Sequence, residues 1–173
     1  MISPREDQAR VFAQHAHGDQ KYGDQPYVIH LAAVRTVLAE FGFTGDYLVA
    51  AWLHDVLEDT KTTYSQLRTA FGIDVAALVL AVTGVGENRK ERNGSIKLKL
   101  QRLRRAIPLK LADRIANERS CLKSNLKLLA MYQSEYPEFR GALYSLSDVP
   151  GLPQLCEPMW RELDRLMAEG RPS

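Results

Sequence analysis

Residues 46 to 57, DYLVAAWLHDVL, are apolar on almost every side of a helix. A surface helix carries one apolar stripe, so a helix that is apolar nearly all round must be enclosed by others. This segment predicts a central helix inside a shell, and the rest of the chain supplies the shell. Ser3-Pro4-Arg5-Glu6 is a capping box with proline in the first turn, and Ala9, Phe12, Ala13 and Ala16 follow at helical spacing, which predicts a helix to about Gln20. A second helix begins at about Tyr27, sets His30, Val34, Val37 and Leu38 on one face, and stops near Gly42. Thr62 or Thr63 caps a short helix ending at Phe71-Gly72, and Asp74 to Thr83 reads as a buried helix. KYGDQPY (21–27) reads as a turn-rich loop and GVGENRKERNG (84–94) as a long charged one. Ile96, Leu100, Leu103 and Ile107 recur at helical spacing, and Pro108 falls near the start of the helix carrying LKLADRIANERSCL. A further helix runs from about Ser124 through Tyr132. No stretch of useful length alternates in the period of a strand, so the predicted fold class is all-α, a helical bundle.

At 173 residues the chain is most simply one domain. Residues 1–145 form the expected body. Residues 146–173 form a linker, LSDVPGLPQ, and a terminal helix packed on the same domain through Met159, Trp160, Leu163, Leu166 and Met167. An apolar fraction of 45% with 25% charged residues excludes wholesale disorder. A net charge of +2 is too small to argue for nucleic acid or a membrane surface, so neither is an expected partner. Two cysteines without a CxxC suggest neither a disulfide framework nor a cysteine zinc site. MISPREDQAR lacks the apolar core of a signal peptide, and no run reaches the roughly 18 apolar residues of a membrane span. A cytoplasmic protein is expected.

The end of the central segment breaks the apolar pattern. In HDVLED, Glu58 lies four residues after His54 and three after Asp55, while Asp59 lies four after Asp55. On a continuous helix these groups share one sector. Carboxylates there face the negative end of the helix dipole, at a cost of some tenths of a kcal/mol each. They also repel one another and lose hydration. A divalent cation answers all three objections. The plainer alternative is a polar helix end in solvent with His54 a satisfied core histidine. His30 in PYVIH and Asp113 in KLADRIAN add a second imidazole and another carboxylate from neighbouring helices. Two imidazoles and two carboxylates make a mixed nitrogen and oxygen site suited to manganese, iron or zinc, able to activate water at neutral pH.

The successive motifs His17-Gly-Asp-Gln, Pro26-Tyr27-x-x-His30, His54-Asp55-x-x-Glu58-Asp59-Thr60 and Lys110-Leu-Ala-Asp113-Arg-Ile-Ala-Asn117 resemble those of HD-domain phosphohydrolases of the RelA/SpoT hydrolase type, closest to the small single-domain alarmone hydrolases. The resemblance runs from about Ala13 to Phe139. It implies an HD-domain helical bundle in which His30, His54, Asp55 and Asp113 hold one divalent ion, manganese being the family's usual one. It implies that Glu58 and Asp59 are the catalytic carboxylates beside the attacking water, and that Asn117, one turn after Asp113, contacts the nucleotide. The reaction implied is removal of the 3′-pyrophosphate from the small-molecule nucleotides guanosine tetra- or pentaphosphate. Where the long bifunctional enzymes present an arginine to the base, this chain has Lys21-Tyr22, after a loop one residue shorter, and Leu31 follows His30 in place of a frequent proline. Lys21 and Tyr22 are therefore the candidate phosphate and base contacts, and an adenosine counterpart or another 3′-phosphorylated nucleotide is an alternative substrate. No histidine follows His54, which argues against a two-metal phosphodiesterase. The chain is expected to end with the hydrolase module, without a synthetase domain. A nucleotide monophosphatase and a non-catalytic nucleotide-binding regulator are the alternatives.

Eight Lys or Arg residues and one Glu lie between Arg89 and Arg105, which is either a landing zone for an anionic substrate or, more simply, a solvated face. On a helix Lys110 lies nearer the Asp113 face than Arg114 does, which makes Lys110 the candidate phosphate contact.

Overall fold

The computed structural model describes residues 2–147 and 153–169; residues 148–152, within the expected linker, lie outside the described residues. Helix α1 (Pro4–His17) starts with the capping box read from the sequence, the Ser3 hydroxyl accepting from Glu6 N–H and the Glu6 carboxylate accepting from Ser3 N–H. It ends three residues earlier than predicted, because Gly18 takes φ 54° and turns the chain. The turn-rich loop that follows is a miniature hairpin, β1 (Lys21–Tyr22) and β2 (Gln25–Pro26), paired antiparallel with Tyr22 opposite Gln25. Gly23-Asp24 is the two-residue connection that such a hairpin requires, with Gly23 at φ 60°.

Helix α2 (Val28–Glu40) leads to α3 (Asp46–Leu53), in which every residue from Leu48 to Leu53 is buried. The all-round apolar segment is thus central, packed against α1, α2, α6 and α8. It is not one helix to Leu57, however. The helix breaks at His54-Asp55 and restarts as the single turn α4 (Val56–Asp59), so the four polar groups do not share one continuous helical face. Helix α5 (Tyr64–Phe71) opens with a second capping box, Thr63 with Gln66, and closes on Gly72, and α6 (Ile73–Val82) is buried as expected.

The charged segment 84–94 is loop only to Asn88. Helix α7 (Arg89–Arg102) begins there, the Asn88 side chain accepting from Glu91 N–H. A 3₁₀ turn (Arg104–Ala106) leads into α8 (Ile107–Ser124), which carries Pro108 in its first turn, where the missing N–H is harmless. Helix α9 (Leu126–Leu143) is longer than predicted and continues through Pro137. Helix α10 (Pro153–Glu169) packs on α8 with Met159, Trp160, Leu163 and Leu166 at 0–1% exposure, and Arg119 of α8 meets Glu162 at 2.9 Å. Burying each such large apolar side chain contributes roughly 1.5–3 kcal/mol. Among the described residues no helix is long and apolar enough to cross a membrane.

Candidate metal centre and active site

The break after α3 creates the centre. His54 remains in the core at 2% exposure, and its Nδ1 lies 2.9 Å from the Ala51 carbonyl oxygen. A carbonyl only accepts, so Nδ1 carries the proton and a neutral ring presents the Nε2 lone pair. That Nε2 is buried, makes no hydrogen bond among the described residues, and sits 2.9 Å from Asp55 Oδ2. Two electron-rich atoms at that distance require positive charge between them. Asp55 itself adopts φ −102°, ψ −4°, in the sparsely populated bridge region that joins α3 to α4.

His30, at 4% exposure on α2, brings its Nε2 to 3.6 Å from Asp55 Oδ2 and 3.4 Å from Asp113 Oδ1. Asp113 Oδ1 also lies 3.8 Å from His54 Nε2. One ligand atom from each of His30, His54 and Asp55 falls within 4.8 Å of the others. These three residues can hold a divalent metal, and the orphaned lone pair of His54 fits the donor set that such an ion takes. Without a cation, a proton takes its place. Burial would lower His54, but the Asp55 and Asp113 carboxylates override it and raise the imidazole to about 9. Burial would likewise raise Asp55, yet His54 beside it brings the carboxyl down to about 2.

Each carboxylate is held from behind. Tyr27 donates its hydroxyl to Asp55 Oδ2 at 2.7 Å. Lys110 donates to Asp113 Oδ2 at 2.8 Å, and the Asn117 amide donates to Asp113 Oδ1 at 2.7 Å. Tyr22 donates to Asn117 Oδ1 at 2.7 Å, and its ring stacks on His30 at 4.6 Å. Partners of this kind fix ligand orientation and basicity. Asn117 is thus committed to holding Asp113 and Tyr22.

Glu58 and Asp59 stand at the rim. Glu58 Oε2 accepts from Gly84 N–H at 2.6 Å, and Arg92 Nε lies 3.7 Å from Oε1. A Cβ at Gly84 would meet Arg92 Cβ at 2.7 Å, so only glycine lets the backbone come this close. Burial lifts Glu58 above the usual carboxylate range, with Asp55 and Asp59 adding to the effect and the Gly84 N–H opposing it. Asp59 Oδ2 accepts from Gln20 at 2.9 Å, and Gln20 Oε1 accepts from His17 Nδ1 at 2.8 Å. His17 stacks on Tyr27 at 4.5 Å. The first motif therefore works by positioning Asp59 and Tyr27. Thr60 ends α4 by donating its hydroxyl to the Val56 carbonyl at 2.6 Å.

The ligand carboxylates, His30 and the two rim carboxylates line one cavity of about 240 Å³. Its walls hold Asp55, Glu58, Asp59 and Asp113 against Arg89, Arg92, Lys110 and Arg114. Of the candidates read from the sequence, His30, Asp55, Asp113, Glu58, Asp59, Tyr22, Lys110 and Asn117 line it, and His54 backs it through its contact with Asp55. Lys21 does not; it lies exposed on the hairpin. Lys110 lies against Asp113 as the helical spacing implied; Arg114 reaches the cavity by another route, α9 lying against α8 with Tyr132 4.6 Å and Phe139 4.5 Å from its guanidinium. Arg89 and Arg92, from the basic stretch left open as an anion landing zone or a solvated face, line the cavity, and the Asn88-x-x-Glu91 cap was the signal that a helix, not a loop, starts there.

A helical scaffold that gathers two imidazoles and an aspartate from a broken helix and its neighbour, facing another aspartate, defines a metal centre of the HD type. The chain belongs to the HD domain family, whose model matches residues 9–133. It is 41% identical over 115 residues, 63% of its own length, to the guanosine-3′,5′-bis(diphosphate) 3′-pyrophosphohydrolase of Aquifex aeolicus, and 37% identical over 123 residues, 65% of its length, to the bifunctional (p)ppGpp synthase/hydrolase SpoT of Escherichia coli K12. It spans only 16% and 17% of those relatives' lengths. Among solved structures it is similar to a metazoan ortholog of SpoT described as hydrolysing ppGpp (TM-score 0.70, 25% identity, 98% of this chain and 97% of that one). It is also similar to a Listeria monocytogenes protein (TM-score 0.63, 25% identity, 82% of this chain and 93% of that one).

Proposed function

We propose that this chain is a manganese-dependent hydrolase that removes the 3′-pyrophosphate of guanosine tetra- or pentaphosphate, or of the adenosine counterpart, giving the nucleoside 5′-di- or triphosphate and pyrophosphate. The observation that carries this reading is a single cavity in which a metal-ligating floor meets an arginine- and lysine-lined wall. The names of the relatives from Aquifex and Escherichia coli and the activity described for the metazoan ortholog point the same way. Such a substrate suits a cytoplasmic protein.

In this reading Asp113 is the fourth ligand beside His30, His54 and Asp55, held ready by Lys110 and Asn117. These residues would hold one divalent ion, which would offer positive charge to a phosphoryl oxygen and lower the pKa of water beside it. Glu58, lifted by burial, takes the proton of the attacking water, and Asp59, held by Gln20, orients that water. The bond between the 3′ oxygen and the adjacent phosphorus breaks, pyrophosphate leaves, and the proton held by Glu58 passes to the 3′ oxygen. Arg92 and Lys110 offset the charge that develops on the phosphoryl oxygens. Tyr22 and Asn117 border the space for the base, and the exposed Lys21 is left out of the proposed contacts.

The test is incubation of purified protein and manganese with ppGpp, its adenosine counterpart and ordinary mononucleotides, followed by chromatography of the products. Pyrophosphate with a 5′-diphosphate product is the expected outcome. Inorganic phosphate released from a mononucleotide would make the chain a monophosphatase, and tight binding without product would make it a regulator.

A further inference from the structure

A second cavity, of about 500 Å³, lies between α7, α8 and α9 and shares Arg89, Asn93, Ile96, Lys110, Arg114 and Phe139 with the first. The geometry points to this cavity as an anion subsite that takes the 5′-phosphate chain of the nucleotide whose 3′-pyrophosphate lies over the carboxylates. The inference rests on the function proposed above and goes beyond it by assigning the other half of the substrate.

Three observations carry it. The first is size. Pockets that enclose a drug-sized ligand run to roughly 300–1,000 Å³. The catalytic cavity, at about 240 Å³, is too small for a whole nucleoside tetraphosphate, so part of such a ligand must extend beyond it. The shared wall makes the second cavity the adjoining space.

The second is charge. Arg89, Lys90, Lys97, Lys110 and Arg114 face only Glu135 and Glu138 there. Glu135 is already taken, pairing with Arg89 at 2.7 Å and Arg114 at 3.5 Å. Lys110 pairs with Asp113. Lys90 and Lys97, seven residues apart on one face of α7, have no carboxylate within ion-pair distance among the described residues. They are uncommitted positive charges on a wall continuous with the catalytic cavity, and phosphate is the ligand such a pair recognises.

The third is Gly94, between those lysines on the same wall. Glycine inside a helix is less favourable than alanine by about 1 kcal/mol. Gly94 has no positive φ to justify it, and a Cβ there would touch nothing within 4 Å. Neither backbone conformation nor packing calls for glycine at this place. Its effect is to keep the cavity rim bare between the two lysines, where an extended phosphate chain would pass. Apolar Ile96, Leu100, Ala142 and Leu143 line the remaining wall, and Lys90 and Lys97 stand exposed at the rim, open to an incoming anion.

The experiment compares guanosine 3′,5′-bis(diphosphate) with guanosine 3′-diphosphate, which ends in a 5′-hydroxyl. The Lys90→Ala/Lys97→Ala variant is expected to raise KM for the first substrate by about 10- to 100-fold with kcat unchanged, and to leave the second within about twofold. Gly94→Leu should reproduce that selectivity, while Gly94→Ala should fold at least as stably as the parent and keep activity on both. Equal losses on both substrates, or none on either, would overturn the subsite. If the parent hydrolyses neither nucleotide, the proposed function fails, and direct binding of GDP then decides the subsite alone. Weaker GDP binding in the double variant supports it, and unchanged binding overturns it. GDP that binds there without competing with the 3′-pyrophosphorylated nucleotide also overturns it, because one ligand would not then span both cavities.

Discussion

Asp113, half-buried, and Glu118, fully buried, lie five residues apart on α8, and their surroundings could hardly differ more. Asp113 has Lys110 on one oxygen and Asn117 on the other, with His30 facing it. Burial pushes its carboxyl up, but Lys110 and the imidazoles hold it well below the usual range. Glu118 has no exposed surface and, among the described residues, no hydrogen bond at either oxygen, and Arg114 Nε lies 3.8 Å away. Burial dominates there and raises it to about 8, with Arg114 opposing. Partners, more than burial, decide which carboxylate keeps its charge. The helix presents a fixed anion to the metal centre and, one and a half turns on, keeps a second acid uncharged near neutrality. Arg114 is then left to Glu135 and the faces of Tyr132 and Phe139, which hold its charge beside the cavity.

The sharpest break in this comparison is Asp113→Ala. Metal content measured by plasma mass spectrometry and hydrolytic activity should fall together, by more than the ~100-fold typical of losing an outer partner. Glu58→Gln should lower kcat by about 10²- to 10⁴-fold with metal content intact, and undiminished turnover would remove Glu58 from the proposed chemistry. Lys110→Met leaves Asp113 in place but frees its Oδ2, and a loss of metal affinity of about 10- to 100-fold by titration calorimetry is expected. Glu118→Gln tests the other side. Its folded pKa, about 8, lies above the unfolded value near 4.5, so the native state holds a proton that the unfolded chain releases. Stability of the parent should therefore fall as pH rises through that window. The glutamine variant should come close to the parent at pH 5 and exceed it by about 4 kcal/mol at pH 9, read as a growing difference in Tm. A difference that stays flat across pH would mean that Glu118 does not titrate there.

What was legible in the sequence was mainly what local chemistry sets. The caps at Ser3 and Thr63 and the stop at Gly72 are hydrogen-bond patterns complete within four residues, and the fold has them where the pattern does. The enclosed helix was legible because all-round apolarity permits no exposed position. The break at His54-Asp55 was not, since no glycine or proline marks it; tertiary packing of His54 and the demands of the centre impose it. The start of α7 was obscured by Gly84, Gly86 and Gly94, although Gly84 serves the approach to Glu58 and only the residues before Arg89 form loop. Helical spacing placed Lys110, not Arg114, against Asp113, as the fold has it, but it could not show that the long Arg114 guanidinium bends toward the rings of another helix and reaches the cavity wall.

The bond from His54 Nδ1 to the Ala51 carbonyl has an evolutionary corollary. Its acceptor is main chain, so no substitution at a neighbouring position can delete it while α3 persists. The orientation of this imidazole is insulated from genetic drift, and adjusting the centre's appetite for one ion over another is left to the replaceable side chains Tyr27, Lys110 and Asn117.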